Sequence, residues 1–183
     1  MGYEFGRVMF GEASRRLQAE HGSLAQYDRM IEQGGSSALL GYSEAEFLAG
    51  RDSFYLASVT PDGWPYVQHR GGPKGVLRVL DAKTLAFADY SGNKQYITAG
   101  NLETNDRVAL FLMDYPERAR LKVIGHAQVL QPGQDQAIDA AVKIAGARGR
   151  MERIILVDVV AFDWNCSQHI TPRFTREEFE HLA

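Results

Sequence analysis

The sequence predicts a mainly β fold, an antiparallel barrel with helices at its periphery. Three observations point there. Six or seven short runs rich in β-branched and aromatic residues follow one another, separated by turn signals. Helical signals gather in the first fifty residues, in a segment near residue 140 and in the tail, with one short helix over 94–101 between strands. Strands that succeed strands also lack the βαβ alternation of a parallel sheet. At 183 residues, 45% of them apolar and 23% charged, the chain can bury its own core as one domain. Residues 1–50 read as a helical extension packed on the barrel, and 51–183 as the barrel itself.

The elements follow in order. A helix is expected over 11–21. Ser23, with Gln26 three residues on, reads as a capping box opening a helix that runs to Ile31 and stops at Gly34-Gly35. Ser43-Glu44-Ala45-Glu46 repeats that signature, and Gly50 ends the helix. Residues 54–60 form a strand, Thr60-Pro61-Asp62-Gly63-Trp64 a turn with glycine at positive φ, and 66–70 the returning strand. Trp64 is expected to pack against its neighbours. A second pair spans 76–80 and 84–89, and a short helix covers 94–101. Strands 107–113 and 118–130 flank Asp114-Tyr115-Pro116. A helix over 134–147 carries Ile138, Ala141, Val142 and Ala145 on one face. The last strand, 153–162, contains Ile154-Ile155-Leu156-Val157 and should be buried on both sides, and Thr175-Arg176-Glu177-Glu178 caps a final helix.

Charge and cysteine content narrow the function. The formal charge of −3 comes with no basic stripe, so nucleic acid is not an expected partner. Cys166 is the only cysteine, which excludes an intrachain disulfide. The first ten residues lack a signal-peptide core and no stretch has membrane-spanning length, so a cytoplasmic protein is expected. As a nucleophile Cys166 would need a base and a lowered pKa, and nothing local supplies either. His69, His126, His169 and Cys166 lack any recognised metal-ligand spacing. His21 and His181 are expected in solvated helices.

Two segments carry chemistry. In a strand, Tyr66, Gln68 and Arg70 share one face while Val67 and His69 take the other. The first face either lines a polar site or faces solvent. Gly71, Gly72 and Gly75 bracket Pro73 and Lys74 in a loop. Some twenty residues on, Phe87-Ala88-Asp89-Tyr90 leaves a strand into Ser91-Gly92-Asn93-Lys94. That stretch offers small donors and a cation and opens a helix whose N-terminus favours anions. It also reads as a solvated turn followed by an N-cap.

In order and spacing these segments resemble the pyridoxamine 5'-phosphate oxidase-like family, over about residues 54–173. Val67-Gln68-His69-Arg70-Gly71 resembles the family strand that runs along the flavin. Phe87-Ala88-Asp89, with Asn93-Lys94-Gln95, resembles the next strand and its phosphate-binding turn. Arg120-Leu121-Lys122-Val123-Ile124-Gly125 resembles the strand that reaches the flavin ring. Residues 163–170, which include Trp164, Asn165 and Gln168, resemble a late segment that approaches the partner's flavin.

The resemblance implies a Greek-key split β-barrel that dimerises and holds flavin mononucleotide (FMN) between subunits. It implies a flavin-contacting set of Gln68, His69, Arg70, Gly71, Asp89, Tyr90, Ser91, Asn93, Lys94, Gln95, Arg120, Lys122, Trp164, Asn165 and Gln168. Arg70, Asn93 and Lys94 are the expected phosphate ligands, with Gln68, Arg120 and Lys122 at the ring's polar edge. Trp164, Asn165 and Gln168 would come from the other subunit.

The implied activity is FMN-dependent oxidation or reduction of a small molecule, with no side chain marked as catalytic acid or base. The alternatives are a flavin-binding sensor or stress protein without turnover, and a barrel that binds deazaflavin or haem. The chain departs from the true pyridoxamine phosphate oxidases in two places. Pro172-Arg173-Phe174 stands where they carry an Arg-rich substrate motif after a Trp, and Gln68-His69-Arg70-Gly71-Gly72 replaces a hydrophobic strand ending in lysine. A branch distinct from those enzymes is expected, with little oxidation of vitamin B6 phosphates.

Overall fold

The computed structural model describes residues 3–35, 37–147, 149–164 and 168–180. Among them, seven strands form one antiparallel sheet: β1 (Ser53–Val59), β2 (Pro65–Gly71), β3 (Arg78–Val79), β4 (Thr84–Tyr90), β5 (Arg107–Asp114), β6 (Ala119–Leu130) and β7 (Met151–Trp164). Their order is β2-β1-β5-β6-β7-β4-β3. β5, β6 and β7 are successive antiparallel neighbours and β4 returns beside β7, a Greek-key arrangement.

The sheet curls on itself. Phe54 of β1 meets Phe87 of β4 edge to face at 5.1 Å, and Arg70 of β2 pairs with Asp89 of β4, although these strands lie far apart in the ladder order. Side chains, not backbone hydrogen bonds, bridge the gap between β2 and β4. The molecule is the split β-barrel expected from the sequence.

Strict alternation builds the core. Phe54 and Leu56 of β1, Val108, Leu110 and Leu112 of β5, and Leu121 and Val123 of β6 point inward and are buried. Each such side chain contributes roughly 1.5–3 kcal/mol by leaving water. β7 is buried on both faces at Ile154, Ile155, Leu156 and Val157, as its apolar run predicts. Its outer face, with Ala86 and Ala88 of β4, packs beneath Val142 and Ile138 of a covering helix, α6 in the numbering below. One glycine makes the curl possible. Between Ile124 and Gly125 the β6–β7 register shifts by a residue, a bulge, and a Cβ on Gly125 would lie 2.4 Å from the Asp158 carbonyl oxygen.

The helices are α1 (Glu4–Met9), α2 (Glu12–Glu20), α3 (Leu24–Gln33), α4 (Tyr42–Ala49), α5 (Ile97–Leu102), α6 (Gln136–Val142) and α7 (Arg176–Glu180). None of them is long and apolar enough to cross a membrane. α1 has no counterpart in the sequence reading. It docks on the barrel because the Tyr3 hydroxyl donates to Asp163 (2.7 Å) and the Phe5 amide donates to the buried Ser37 hydroxyl (3.2 Å).

Several expected features differ. Ser23 precedes α3 but makes no side-chain cap bond. α4 begins two residues earlier than its Ser43 signature implies, with Gly41 as N-cap and the Glu44 carboxylate accepting from the Gly41 amide (2.9 Å). The strand expected over 76–80 shrinks to two residues, because Val76 and Leu77 are buried where the chain crosses the barrel end toward β4. The helix expected over 134–147 ends at Val142. Lys143 turns extended, and the Ile144 amide donates instead to the Tyr90 hydroxyl (3.0 Å). Trp64 is 73% exposed at the hairpin tip rather than packed, because the turn carries it beyond the sheet. His21 lies exposed at the end of α2, and His181 falls outside the described residues. The capping box at α7 forms as read: the Thr175 amide donates to the Glu178 carboxylate (2.8 Å) and the Glu178 amide to the Thr175 hydroxyl (3.2 Å).

Candidate functional site

The split between β2 and β4 opens into a cleft of about 170 Å³. β2 supplies Gln68 and Arg70, β4 supplies Asp89 and Tyr90, the following loop supplies Gly92 to Tyr96, and β7 supplies Glu152 and Arg153. The face of β2 that carries Tyr66, Gln68 and Arg70 is the half-buried one, and Gln68 and Arg70 line the cleft. The solvent-facing alternative for that face falls away.

Each cleft side chain is held. The Gln68 carbonyl oxygen accepts from the Tyr66 hydroxyl (3.1 Å) and the Thr98 hydroxyl (3.4 Å), which leaves its amide nitrogen free to donate. α5 is tied to β1 by a buried hydrogen bond in which Asn101 donates to Ser58 (2.9 Å). Arg70 pairs with Asp89 while its Nε is buried without a partner. Arg153 sits 3.5 Å from the other Asp89 oxygen and 3.0 Å from Glu152, with its guanidinium 4.7 Å above the Tyr96 ring.

The loop after β4 is not the start of a helix, contrary to the expectation over 94–101. Asn93 accepts from the Gln95 amide (3.1 Å), and Lys94 and Tyr96 take left-handed backbone (φ 59° and 54°), so α5 begins only at Ile97. Left-handed conformations at bulky residues are sparsely populated and cost on the order of 1 kcal/mol or more each. The loop holds them because Asn93 closes it at one end and Arg153 stacks on Tyr96 at the other. Lys94, Asn93 and Gln95 all line the cleft. Ser91 does not; its hydroxyl accepts from the Arg150 amide (3.0 Å) and serves the loop base.

The other expected residues lie elsewhere. His69 is on the outer face of β2, against Tyr55 at 5.5 Å between rings. Gly71 ends β2 opposite Ser53. Arg120 and Lys122 are on the outer face of β6. Arg120 has a buried, unpartnered Nε and lies 5.9 Å from the Phe111 ring, while Lys122 pairs with Asp163 (2.7 Å) and sits 4.7 Å from the Phe5 ring. Trp164 packs edge to face on Phe47 (4.8 Å) and donates to Glu44 (2.7 Å). Gln168 is exposed in a turn, and Asn165 and Cys166 lie outside the described residues. Among the described residues no cluster of His, Cys, Asp and Glu has the makings of a metal site.

That outer face is the second feature. Cross-strand register aligns Val67, Ala57, Ala109 and Ile124 in one row and His69, Tyr55, Phe111 and Lys122 in the next. All of these except His69, together with Phe5 and Met9 of α1, wall an apolar depression of about 550 Å³. Further along, Arg173 lies 4.9 Å from the Tyr115 ring, so the C-terminal segment folds over the end of β5.

The cleft brings together Gln68, Arg70, Asp89, Tyr90, Asn93, Lys94, Gln95 and Tyr96 from the sequence reading and adds Glu152, Arg153 and Thr98, which that reading did not name. The signal for Arg153 is its place directly opposite Asp89 in the β4–β7 ladder.

The sequence profile of the family described as pyridoxamine 5'-phosphate oxidase matches residues 43–163, about two thirds of the chain. Among curated proteins, none matches. Solved structures share the fold at low identity. HupZ of Group A Streptococcus is 18% identical, with a TM-score of 0.56 over 74% of this chain and 100% of that one. A protein related to general stress protein 26, from Clostridium acetobutylicum, is 13% identical, with a TM-score of 0.50 over 74% and 94%. An FMN-binding protein from Syntrophomonas wolfei is 11% identical, with a TM-score of 0.50 over 82% and 97%. By its matched residues, the chain belongs to the pyridoxamine 5'-phosphate oxidase-like family, and its split barrel is the fold of these solved structures.

Proposed function

We propose that this chain binds FMN as a homodimer and uses it to oxidise or reduce a small molecule. The observation that carries the reading is the cleft. The Arg70 and Arg153 guanidiniums, the Lys94 ammonium and the Asn93 amide converge at one end of the split barrel, and the buried Nε of Arg70 has no partner. A phosphate fits this donor set, because charge-assisted hydrogen bonds from Arg and Lys are the strong ones and a buried unpaired donor is costly. The FMN-binding protein of the same fold from Syntrophomonas wolfei agrees with FMN as the ligand.

Bound FMN supplies hydride and single-electron transfer through its ring. The chain's own residues bind and orient it. Arg70, Asn93 and Lys94 hold the phosphate. Gln68, with its carbonyl fixed by Tyr66 and Thr98, keeps its amide N–H for the ring's polar edge. Arg120 and Lys122 lie on the outer face of β6 and would reach the ring's polar edge only across the dimer; Arg120 has a donor to spare there, whereas Lys122 would first have to leave Asp163.

The apolar outer face supports the homodimer. Val67 and Tyr55 are 59% and 40% exposed there, in rows of small and aromatic residues suited to a second copy of the same sheet. Such a copy would bring its own Trp164 and Gln168 toward a shared site.

The test is the absorbance spectrum of freshly purified protein, with a mass for the ligand released on denaturation. A flavin spectrum and the mass of FMN are expected. A deazaflavin or haem spectrum, with no FMN binding at tens of micromolar, contradicts the reading. Flavin-saturated protein should also oxidise pyridoxamine 5'-phosphate more slowly than about one turnover per second, the low end of ordinary enzymes. Pro172-Arg173-Phe174 stands where the true pyridoxamine phosphate oxidases carry their Arg-rich substrate motif.

A further inference from the structure

Building on the phosphate reading of the cleft, we propose that Arg153 of β7 is a further ligand for the bound phosphate, with Asp89 as the internal counter-ion that holds Arg153 and Arg70 together. Asp89 and Arg153 are direct cross-strand neighbours, and the two Asp89 oxygens divide between the two guanidiniums. Both arginine side chains are largely buried, at 16% and 13% exposure, yet both line the open cleft.

Their hydrogen-bonding capacity exceeds their partners. A guanidinium carries five N–H donors. Arg153 uses Nη1 toward Asp89 and Nη2 toward Glu152, and Arg70 uses Nη1 toward Asp89 while its Nε stays unpaired. Tyr96 covers one face of the Arg153 plane, so further partners must meet it edge-on, the direction in which a guanidinium engages phosphate. Charge agrees: the lining carries Arg70, Lys94 and Arg153 against Asp89 and Glu152, an excess of one positive charge that a phosphate would answer. Arg153 thus acts twice, through its contact with the anion and through Tyr96, whose left-handed backbone ends the loop that carries Lys94.

The experiment compares FMN with riboflavin, which lacks the phosphate, for wild-type protein, R153Q and R153K, by fluorescence titration at two salt concentrations. R153Q should weaken FMN binding about tenfold to a hundredfold, the range for one charge-assisted contact, while riboflavin affinity changes little. R153K should fall between R153Q and wild type, because an ammonium keeps the charge and loses the fork. Retained riboflavin binding shows that each variant is folded, and R153K carries the test where R153Q does not fold. The preference for FMN should shrink at high salt in wild type more than in R153Q.

Equal losses for FMN and riboflavin would make Arg153 a purely structural residue and overturn the proposal. So would an R153Q protein with the wild-type FMN preference. If wild-type protein itself shows no preference for FMN over riboflavin, the phosphate reading of the cleft fails, an outcome separate from the other two.

Discussion

The charged cleft and the apolar outer face lie on opposite sides of β2 and are built by different means. The outer face comes from alternation: each of β1, β2, β5 and β6 gives every second residue to it, and cross-strand register aligns them in rows. The cleft comes from closure. Arg70, Asp89, Lys94 and Arg153 are far apart in sequence and meet because the sheet curls until β2 faces β4 and β7. The contrast teaches that one strand can serve both ends of an amphiphilic ligand site, its inward residues meeting charge and its outward residues meeting another surface. On the proposed reading, the cleft takes the phosphate and the outer face takes the second subunit.

The largest expected effect breaks the outer face alone. Ala109 lies exposed in the middle of the row of small residues, so Ala109→Glu leaves the isolated barrel intact. In a dimer it would bury a carboxylate without a partner, a cost of about 3–5 kcal/mol. Sedimentation should show a monomer, and FMN titration should show the shared site lost. A dimer with undiminished FMN affinity would remove the outer face from the account.

Lys94→Ala attacks the cleft alone. FMN affinity should drop about tenfold to a hundredfold, with riboflavin affinity nearly unchanged. Matched losses would assign Lys94 to loop folding instead.

Gly125→Ala should not distinguish the two regions. The added methyl meets the Asp158 carbonyl at the bulge, and overpacking of this kind costs roughly 1–3 kcal/mol. Denaturant unfolding should report that loss while the ratio of FMN to riboflavin affinity stays at the wild-type value.

The smallest effect concerns the border of the outer face. Burial, and then its hydrogen bond to Asp163, hold the Tyr3 hydroxyl well above the ordinary tyrosine range. A raised folded pKa means that the stabilisation is complete below the unfolded value of about 10 and is lost as pH rises beyond it. Tyr3→Phe should cost about 1 kcal/mol at neutral pH. The gap in thermal midpoint between wild type and Y3F should stay constant from about pH 7 to 9 and narrow above about 10. A constant gap at all pH values would mean that folding does not raise the Tyr3 hydroxyl pKa.

Legibility in the sequence follows the same division. Strand positions could be read because alternation and turn chemistry are local: Gly63 takes the positive φ its turn requires, and residues 154–157 are buried on both faces. The cleft was readable where residues lie on one strand face, as with Gln68 and Arg70, and where the resemblance supplied Asn93 and Lys94. Arg153 was invisible because its role depends on the register that sets it opposite Asp89, and register is a property of the assembled sheet. The left-handed turns at Lys94 and Tyr96 were equally hidden. Glycine advertises such a backbone, but a lysine or a tyrosine adopts it only when its surroundings impose it. α1 was missed for a related reason, since its anchors, Asp163 and Ser37, lie far along the chain.

A crystal structure of the protein with FMN tests the central claim most directly. The account predicts the phosphate within hydrogen-bonding distance of Arg70 and Lys94, and a second copy of the chain, docked on the outer face, touching the flavin. A phosphate bound outside this cleft, or a flavin enclosed by one copy alone, would contradict it.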